Sequence, residues 1–203
     1  MELRDLIEGK YIRLQKMQME DAPLIFNWRQ SASGQFMNQP DGYSLAMQED
    51  WMQNRPDTEI NYIIVAKETG EKVGMVALVG ISIQDRNAEI GRLLLAPEFL
   101  KKSNPYGLEA LKLCATEIIV EWNFHKINGN VLENNVSMLK LQKYMGMEEE
   151  GFLKDQKMIG GKMYGLFLVA LFESNYRKKY LPRINMLLKA FEKSPITSTM
   201  ETT

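Results

Sequence analysis

The 203-residue chain has one cysteine, Cys114, and one histidine, His125. A single cysteine excludes an intrachain disulfide and fits a reducing compartment, so a cytoplasmic location is expected. One histidine and one cysteine cannot make a His/Cys zinc site, and no close carboxylate cluster suggests oxygen ligands, so no metal is expected. Net charge is nearly absent as well: 25 Lys and Arg against 26 Asp and Glu leave −1. Nucleic-acid binders carry a basic excess, so no nucleic-acid partner is expected. No apolar run approaches the ~20 residues of a membrane span. The start, Met1-Glu2-Leu3-Arg4-Asp5, is charged where a signal peptide would be apolar, and no membrane association is expected. The chain also lacks an internal repeat.

What is present is an ordinary globular composition, 45% apolar and 25% charged, of a length that fits one domain. Residues 1–193 are expected to form that domain, closing with a helix over about 176–193. The polar, aperiodic stretch from Ser194 to Thr203 is expected to be a disordered tail. Tyr11 to Leu14 alternates and reads as a first strand, and Glu20-Asp21-Ala22-Pro23 opens a helix, because acids and proline suit a first turn. Ser44 is an N-cap for a second helix through Trp51. Asn61–Ala66, Val73–Ile81 and Ala88–Leu95 are β-rich runs separated by turn residues and form a meander.

The period then changes. Leu108, Leu111, Ala115, Ile118, Ile119 and Trp122 recur at helical spacing between Gly107 and Trp122. Cys114 sits within that stripe and reads as a core thiol. A strand over Lys126–Leu132 follows, then a helix capped by Asn134-Asn135 and ended by Gly146. Met163–Phe172 is a strand preceded by the Gly160-Gly161 hairpin turn, and a helix from Asn175, started or kinked near Pro182, closes the chain. The order β-α-α-β-β-β-α-β-α-β-β implies an α/β (mixed α+β) class: one mostly antiparallel, twisted mixed sheet with helices on its faces.

Several signatures in this order resemble the GNAT superfamily of N-acetyltransferases. They are Arg86-Asn87-Ala88-Glu89-Ile90-Gly91-Arg92 with Ala96-Pro97-Glu98-Phe99, then Gly107-Leu108-Glu109-Ala110, then Asn123-Phe124-His125-Lys126-Ile127. Asn130 to Asn135 and Gly146-Met147 with Glu150-Gly151 complete the set. The similarity spans about Gly9 to Tyr176 and points to the branch holding ribosomal-protein alanine, polyamine and nucleotide-amino-sugar acetyltransferases. It implies the acyl-CoA N-acyltransferase fold, acetyl-CoA as co-substrate, a small-molecule amine as acceptor, and a monomer or homodimer. His125, at an arginine-or-histidine position of the family, reads as structural.

In such relatives an amine attacks the acetyl thioester directly. The resemblance assigns the CoA pyrophosphate to the loop Lys101, Lys102, Asn104 and to the helix start Tyr106, Gly107, Leu108. Backbone amides at a helix N-terminus suit phosphate. Only the last glycine of the family's usual loop is kept, and Pro105 removes a donor. Asn104-Pro105 reads as an N-cap and first-position pair, leaving the amides of Tyr106, Gly107 and Leu108 pointing outward. Leu94 and Leu95 lie on the strand whose open edge pairs with the pantetheine. Glu89 occupies the position of a general base, and a partly buried carboxylate suits that work. The alternative is a structural carboxylate paired with Arg92 or Arg86.

Gln142 stands where the family has a tyrosine that protonates the departing thiolate. Tyr144, two residues on at ~100° per residue, points to the other side of the helix. Asn135 either contacts the CoA arm or only caps its helix. Beside the acceptor pocket the resemblance sets Trp28 and Arg29, from Phe26-Asn27-Trp28-Arg29, and Tyr164. Trp28 reads more readily as core.

Two functional readings follow. One is acetyl transfer to a primary amine: an amino sugar on a nucleotide, a peptide N-terminus or a polyamine. The other is a degenerate domain without transferase activity, used for binding. A different acyl donor would leave similar signs.

Overall fold

The protein is described by a computed structural model over residues 3–31, 42–100 and 102–192. The expected tail and Lys101 lie outside the described residues. One eight-stranded sheet carries the molecule: β1 (Leu6–Glu8), β2 (Ile12–Lys16), β3 (Ile60–Ala66), β4 (Lys72–Ser82), β5 (Asn87–Leu95), β6 (Lys126–Leu132), β7 (Glu148–Ile159) and β8 (Lys162–Phe172). The spatial order is β1-β2-β3-β4-β5-β6-β8-β7. Every pairing is antiparallel except β5 with β6. The α/β expectation therefore holds, with one strand more than the sequence suggests. β1 is three residues long, too short to show a period, and it exists by pairing Leu6–Glu8 with Arg13–Gln15.

Helices cover both faces: α1 (Ala22–Gln30), α2 (Leu45–Gln53), α3 (Pro97–Leu100), α4 (Tyr106–Thr116), α5 (Val136–Met145), α6 (Glu173–Asn175) and α7 (Leu181–Lys189). None of the described helices is long and apolar enough to cross a membrane. The strand alternation sorts the core into two layers. Tyr62 and Ile64 of β3 face a cluster with Ala110 and Cys114 of α4, Met145 of α5, and Ile184 and Leu188 of α7. Ile63 and Val65 face the opposite way, onto Ala22, Ile25 and Trp28 of α1 and Met52 of α2. β3 is buried along its whole length, which is why its sequence, Asn61 apart, is apolar on both faces rather than alternating.

Local chemistry explains several boundaries. The Ser44 hydroxyl accepts from the Met47 amide at the start of α2, as its position implies. Asn135 Oδ1 accepts from the Met138 amide, and Gly146 ends α5 at φ 99°. An L side chain is disfavoured there. α4 runs on through one π-turn, Glu117–Glu121, and a second, Tyr176–Tyr180, leads into α7, where Pro182 sits in the first turn. Glu109 is 3% exposed. Its carboxylate accepts from the amides of Lys10, Tyr11 and Ile12 at 2.7, 2.7 and 2.9 Å. It thereby ties α4 to the β1–β2 turn.

Candidate active site

β5 decides where the sheet opens. It pairs with β6 over only Asn87, Ala88 and Glu89, opposite Lys126, Ile127 and Asn128. From Ile90 onward β5 remains bonded to β4 alone, and β6 turns to β8. A wedge therefore opens between the two parallel strands, with the backbone of Ile90–Leu95 along one side. Leu94 and Leu95 lie on that open-edged segment, as the sequence implied.

A bulge sits on the same segment. Met75 pairs with Leu94 but Ala77 pairs with Gly91, so Arg92 and Leu93 together oppose Val76. Arg92 takes the left-handed conformation, φ 53°. One extra residue reverses the alternation of a strand. Ala88 and Ile90 face the α4–α7 layer before the bulge, and Leu93 and Leu95 face it after. Without the bulge Leu93 and Leu95 would point the other way. A bulge also leaves its extra residue out of the ladder, so unpaired backbone appears where the wedge begins.

Glu89 is the last residue of β5 that pairs with β6, at the apex of the wedge. Its Oε2 accepts from Asn130 Nδ2 at 2.5 Å. Burial pushes its carboxyl above the ordinary carboxylate range, while the Asn130 bond and the charges of Arg92 and Lys157 pull the other way. The two arginines suggested as structural partners are engaged elsewhere. Arg92 Nη1 pairs with Glu59 at 3.0 Å, and Arg86 donates to the Asn123 carbonyl at 3.0 and 2.5 Å.

The α4 start lies over the far end of the same strand. A Cβ added to Gly107 would rest 3.6 Å from Leu95 Cδ1 and 3.9 Å from Leu93 Cδ2. The capping differs by one residue from the expectation. Pro105, not Asn104, is the N-cap, and its carbonyl accepts from the Glu109 amide. Asn104 Oδ1 accepts from the Tyr106 amide at 3.2 Å. One of the three expected outward donors is thus already used, leaving the amides of Gly107 and Leu108 in the first turn. Asn104 Nδ2 also donates to the carbonyls of Phe99 and Lys102, which shapes the loop. The Lys102 ammonium lies over the Phe99 ring, 5.3 Å from its centre.

Gln142 points into a small cavity that it shares with Ile90, Leu111, Asn128, Met145 and Tyr180. Its Oε1 is buried without a hydrogen-bond partner among the described residues. Tyr144 is exposed on the far side of α5, against the Arg183 guanidinium, as the helical angle requires. Asn135 is committed to its cap. His125 packs against Phe172, in keeping with a structural part.

On the opposite face, the expected acceptor residues separate. Trp28 is 3% exposed and belongs to the α1–α2 core, so it does not wall a pocket. Its place in the helical stripe of α1, with Ile25, turns it inward. The aromatic surface comes instead from Tyr43 and Trp51. The Arg29 guanidinium lies 4.6 Å from the Tyr43 ring and 6.0 Å from that of Trp51, and Arg92 lies 5.1 Å from Trp51. Tyr164 sits opposite Lys157 near the end of the β7–β8 hairpin, under the Lys162 ammonium. Sequence reasoning gave no part to Trp51, Tyr43, Gln48, Asn130 or Lys157. Asn130 stood inside a quoted signature, and that was the one available signal.

Among the described residues no group of three or more His, Cys, Asp or Glu could hold a metal ion. Residues 12–148 match the family described as Acetyltransferase (GNAT) domain. The uncharacterized N-acetyltransferase p20 of Bacillus licheniformis is 24% identical, the match covering 81% of this chain and 94% of that protein. Among solved structures, a GCN5-related N-acetyltransferase from Brucella melitensis superposes with a TM-score of 0.74 at 17% identity, over 93% of this chain and 86% of that one. The spermidine/spermine N-acetyltransferase SpeG of Vibrio cholerae gives 0.67 at 21% identity, over 83% and 96%. Identities this low establish a common fold and nothing about the acceptor.

Proposed function

The chain belongs to the GNAT acetyltransferase family, and from that premise we propose that it moves an acetyl group from acetyl-CoA to a small primary amine, with Glu89 as general base. The observation that carries this reading is the position of Glu89: half-buried, at the apex of the wedge, with its carboxyl raised by burial. Acetyl-CoA supplies the activated acyl group. The residues present fit it. The open edge of Ile90–Leu95 offers backbone groups to an amide-bearing arm, and the Gly107 and Leu108 amides offer donors to phosphate. The α4 start over Leu93 and Leu95 sets these two features on the same side of the sheet.

Glu89 faces the other way along the strand. The donor is therefore assigned to the α4–α5 side and the acceptor to the α1–α2 side, meeting where β5 and β6 part. An alkylammonium with a pKa of about 10.4 is mostly protonated near neutrality and must lose a proton before it attacks. Glu89 takes that proton, directly or through a water. Raising a carboxyl toward the working pH improves its action as a base. Gln142, in the cavity beside Ile90, cannot protonate the leaving thiolate but can donate a hydrogen bond to it. A thiolate is a fairly good leaving group, so an amide suffices. For the acceptor we favour a nucleotide-linked amino sugar over a polyamine or a peptide N-terminus.

The test has two arms. Acetyl-CoA at ~100 times its Kd should stabilise the protein by ~2.7 kcal/mol in thermal melting. Release of free CoA should then be followed with nucleotide-linked amino sugars, polyamines and peptides. Absence of both a melting shift and CoA release would overturn the reading, and activity confined to peptides would overturn the acceptor class.

A further inference from the structure

We propose that Asn130 is a positioning residue for the base: it fixes one carboxylate oxygen of Glu89, so that the other, Oε1, lying over Gly91, is the oxygen that takes the acceptor's proton. This rests on the reading of Glu89 as general base.

The two parallel strands supply the parts. Asn87 and Glu89 stand two apart on β5, and Asn128 and Asn130 two apart on β6, so each pair projects from one face of its strand. Backbone pairing joins Asn87 to Lys126 and Glu89 to Asn128. The side chains run two residues ahead of that register. Asn128 Nδ2 donates to Asn87 Oδ1 at 3.2 Å, and Asn130 Nδ2 donates to Glu89 Oε2 at 2.5 Å. The second bond therefore crosses the gap where backbone pairing has already ended. Each end of it is anchored by a different neighbour: Asn130 pairs with Leu168 of β8, and Glu89 with Val79 of β4. A donor held on one strand and an acceptor held on the other fix the carboxylate at the apex of the wedge.

The two oxygens of Glu89 are not equivalent. Oε2 is taken by Asn130, and Oε1 has no hydrogen-bond partner among the described residues. A Cβ built on Gly91 would lie 3.4 Å from Oε1 and 3.6 Å from Val79 Cγ2. Glycine thus leaves open the space beside the uncommitted oxygen, and any side chain would enter it. A base acts within hydrogen-bond reach of the proton it abstracts, and Oε1 is the oxygen whose accepting capacity is wholly unspent.

The same bond acts on ionisation. Burial raises the Glu89 carboxyl, and Asn130 is the largest influence opposing it, ahead of the charges of Arg92 on β5 and Lys157 on β7. The facing residues on β4 and β6, Val79 and Asn130, carry no charge. A donor to the charged form favours that form, so loss of Asn130 moves the carboxyl further up.

Position is tested first without turnover. Carbon-13 NMR of glutamate-labelled protein follows the Glu89 carboxyl, identified by its absence in Glu89→Gln. Asn130→Ala should titrate at higher pH than the wild type. Asn130→Asp should titrate higher still, because like charges then face each other. A titration unmoved in both variants overturns the proposal. This readout needs no acceptor. Failure of every amine to release CoA counts against the proposed function, and the carboxyl titration alone then decides the tie between Asn130 and Glu89.

Kinetics test the consequence. Asn130→Ala should lower kcat at least tenfold and carry the acid limb of kcat/KM upward with the titration, leaving acetyl-CoA affinity unchanged in calorimetry. A purely structural bond would lower the melting temperature and leave that limb in place, which would sink the proposal. Gly91→Ala should keep or raise the melting temperature, since glycine weakens a strand interior, and should keep the acid limb. It should raise the acceptor KM at least threefold by filling the space beside Oε1. Wild-type kinetics in Gly91→Ala would overturn the choice of oxygen. Turnover lost in Glu89→Gln but kept in Asn130→Ala would retain the base and remove its positioning residue.

Discussion

Glu89 combines an isolated position in the wedge with a carboxyl that burial makes harder to ionise. Two consequences follow from one shift. A base with a raised pKa loses activity as pH falls through that value, so the acid limb of kcat/KM should lie above the ordinary carboxylate range. The same shift opposes folding. Between the unfolded and folded pKa values the native state binds more protons than the unfolded one. Stability contributed by this group therefore falls as pH rises through that window. Glu89→Gln keeps the shape and removes the charge. It should lower turnover by ~10²-fold or more with CoA affinity unchanged. It should also melt higher than the wild type at neutral pH, and the difference should vanish below about pH 4, where an unfolded glutamate is protonated. Unchanged turnover, with chemistry shown to limit the rate, would move the base to another residue.

Two elements set the geometry around that residue, the bulged strand β5 and the first turn of α4. The bulge decides which side chains reach each face, because one inserted residue changes the parity of all that follow. The α4 start decides whether phosphate can approach. At Gly107 an added Cβ would meet Leu95 and Leu93 at 3.6 and 3.9 Å, ordinary contact distances. The protein itself thus has room for alanine, which is up to about 1 kcal/mol more favourable than glycine in a helix. Gly107→Ala should keep or raise the melting temperature of the free protein while weakening CoA binding at least tenfold in calorimetry, because the methyl occupies the approach to the amides. Equal CoA affinity in the two proteins would mean that the pyrophosphate goes elsewhere.

At the scale of the molecule, the matched family region ends at residue 148, yet the fold does not. β8 is inserted between β6 and β7, so the sheet is incomplete without the final hairpin. Beyond it, Tyr176, Tyr180, Ile184 and Leu188 are buried against the α4 side of the core. The Tyr176 hydroxyl meets Thr116 Oγ1 at 2.8 Å, and Tyr180 donates to the Leu111 carbonyl at 3.1 Å. Burial of four such side chains at about 1.5–3 kcal/mol each is worth roughly 6–12 kcal/mol. That is comparable with the whole stability of a typical domain. We therefore propose that the closing helix belongs to the domain. A chain ended at Asn175 should lose its cooperative thermal transition, and a truncated protein that melts like the full chain would separate α7 from the domain.

Read alone, the sequence determined the order of every strand but β1, the mixed class of the sheet and the resemblance that pointed to Glu89, Gly107 and Gln142. Those features are carried by local signals: the periods of two and 3.6, Ser44 and Asn135 as caps, Gly146 and Gly160-Gly161 at positive φ. The tertiary structure decided what depends on residues far apart in the chain. β1 exists only through its partner strand. Arg92 meets Glu59 across 33 positions, and Glu89 meets Asn130 across 41, separations that no local pattern records. Trp28 and Trp51 both sit on helices with mixed faces, so their types could not say which was fully buried and which only partly. The packing of α1 and α2 on the sheet chose between them: Trp28 lies within the core cluster, and Trp51 packs at its margin beside the Arg29 and Arg92 guanidinium groups.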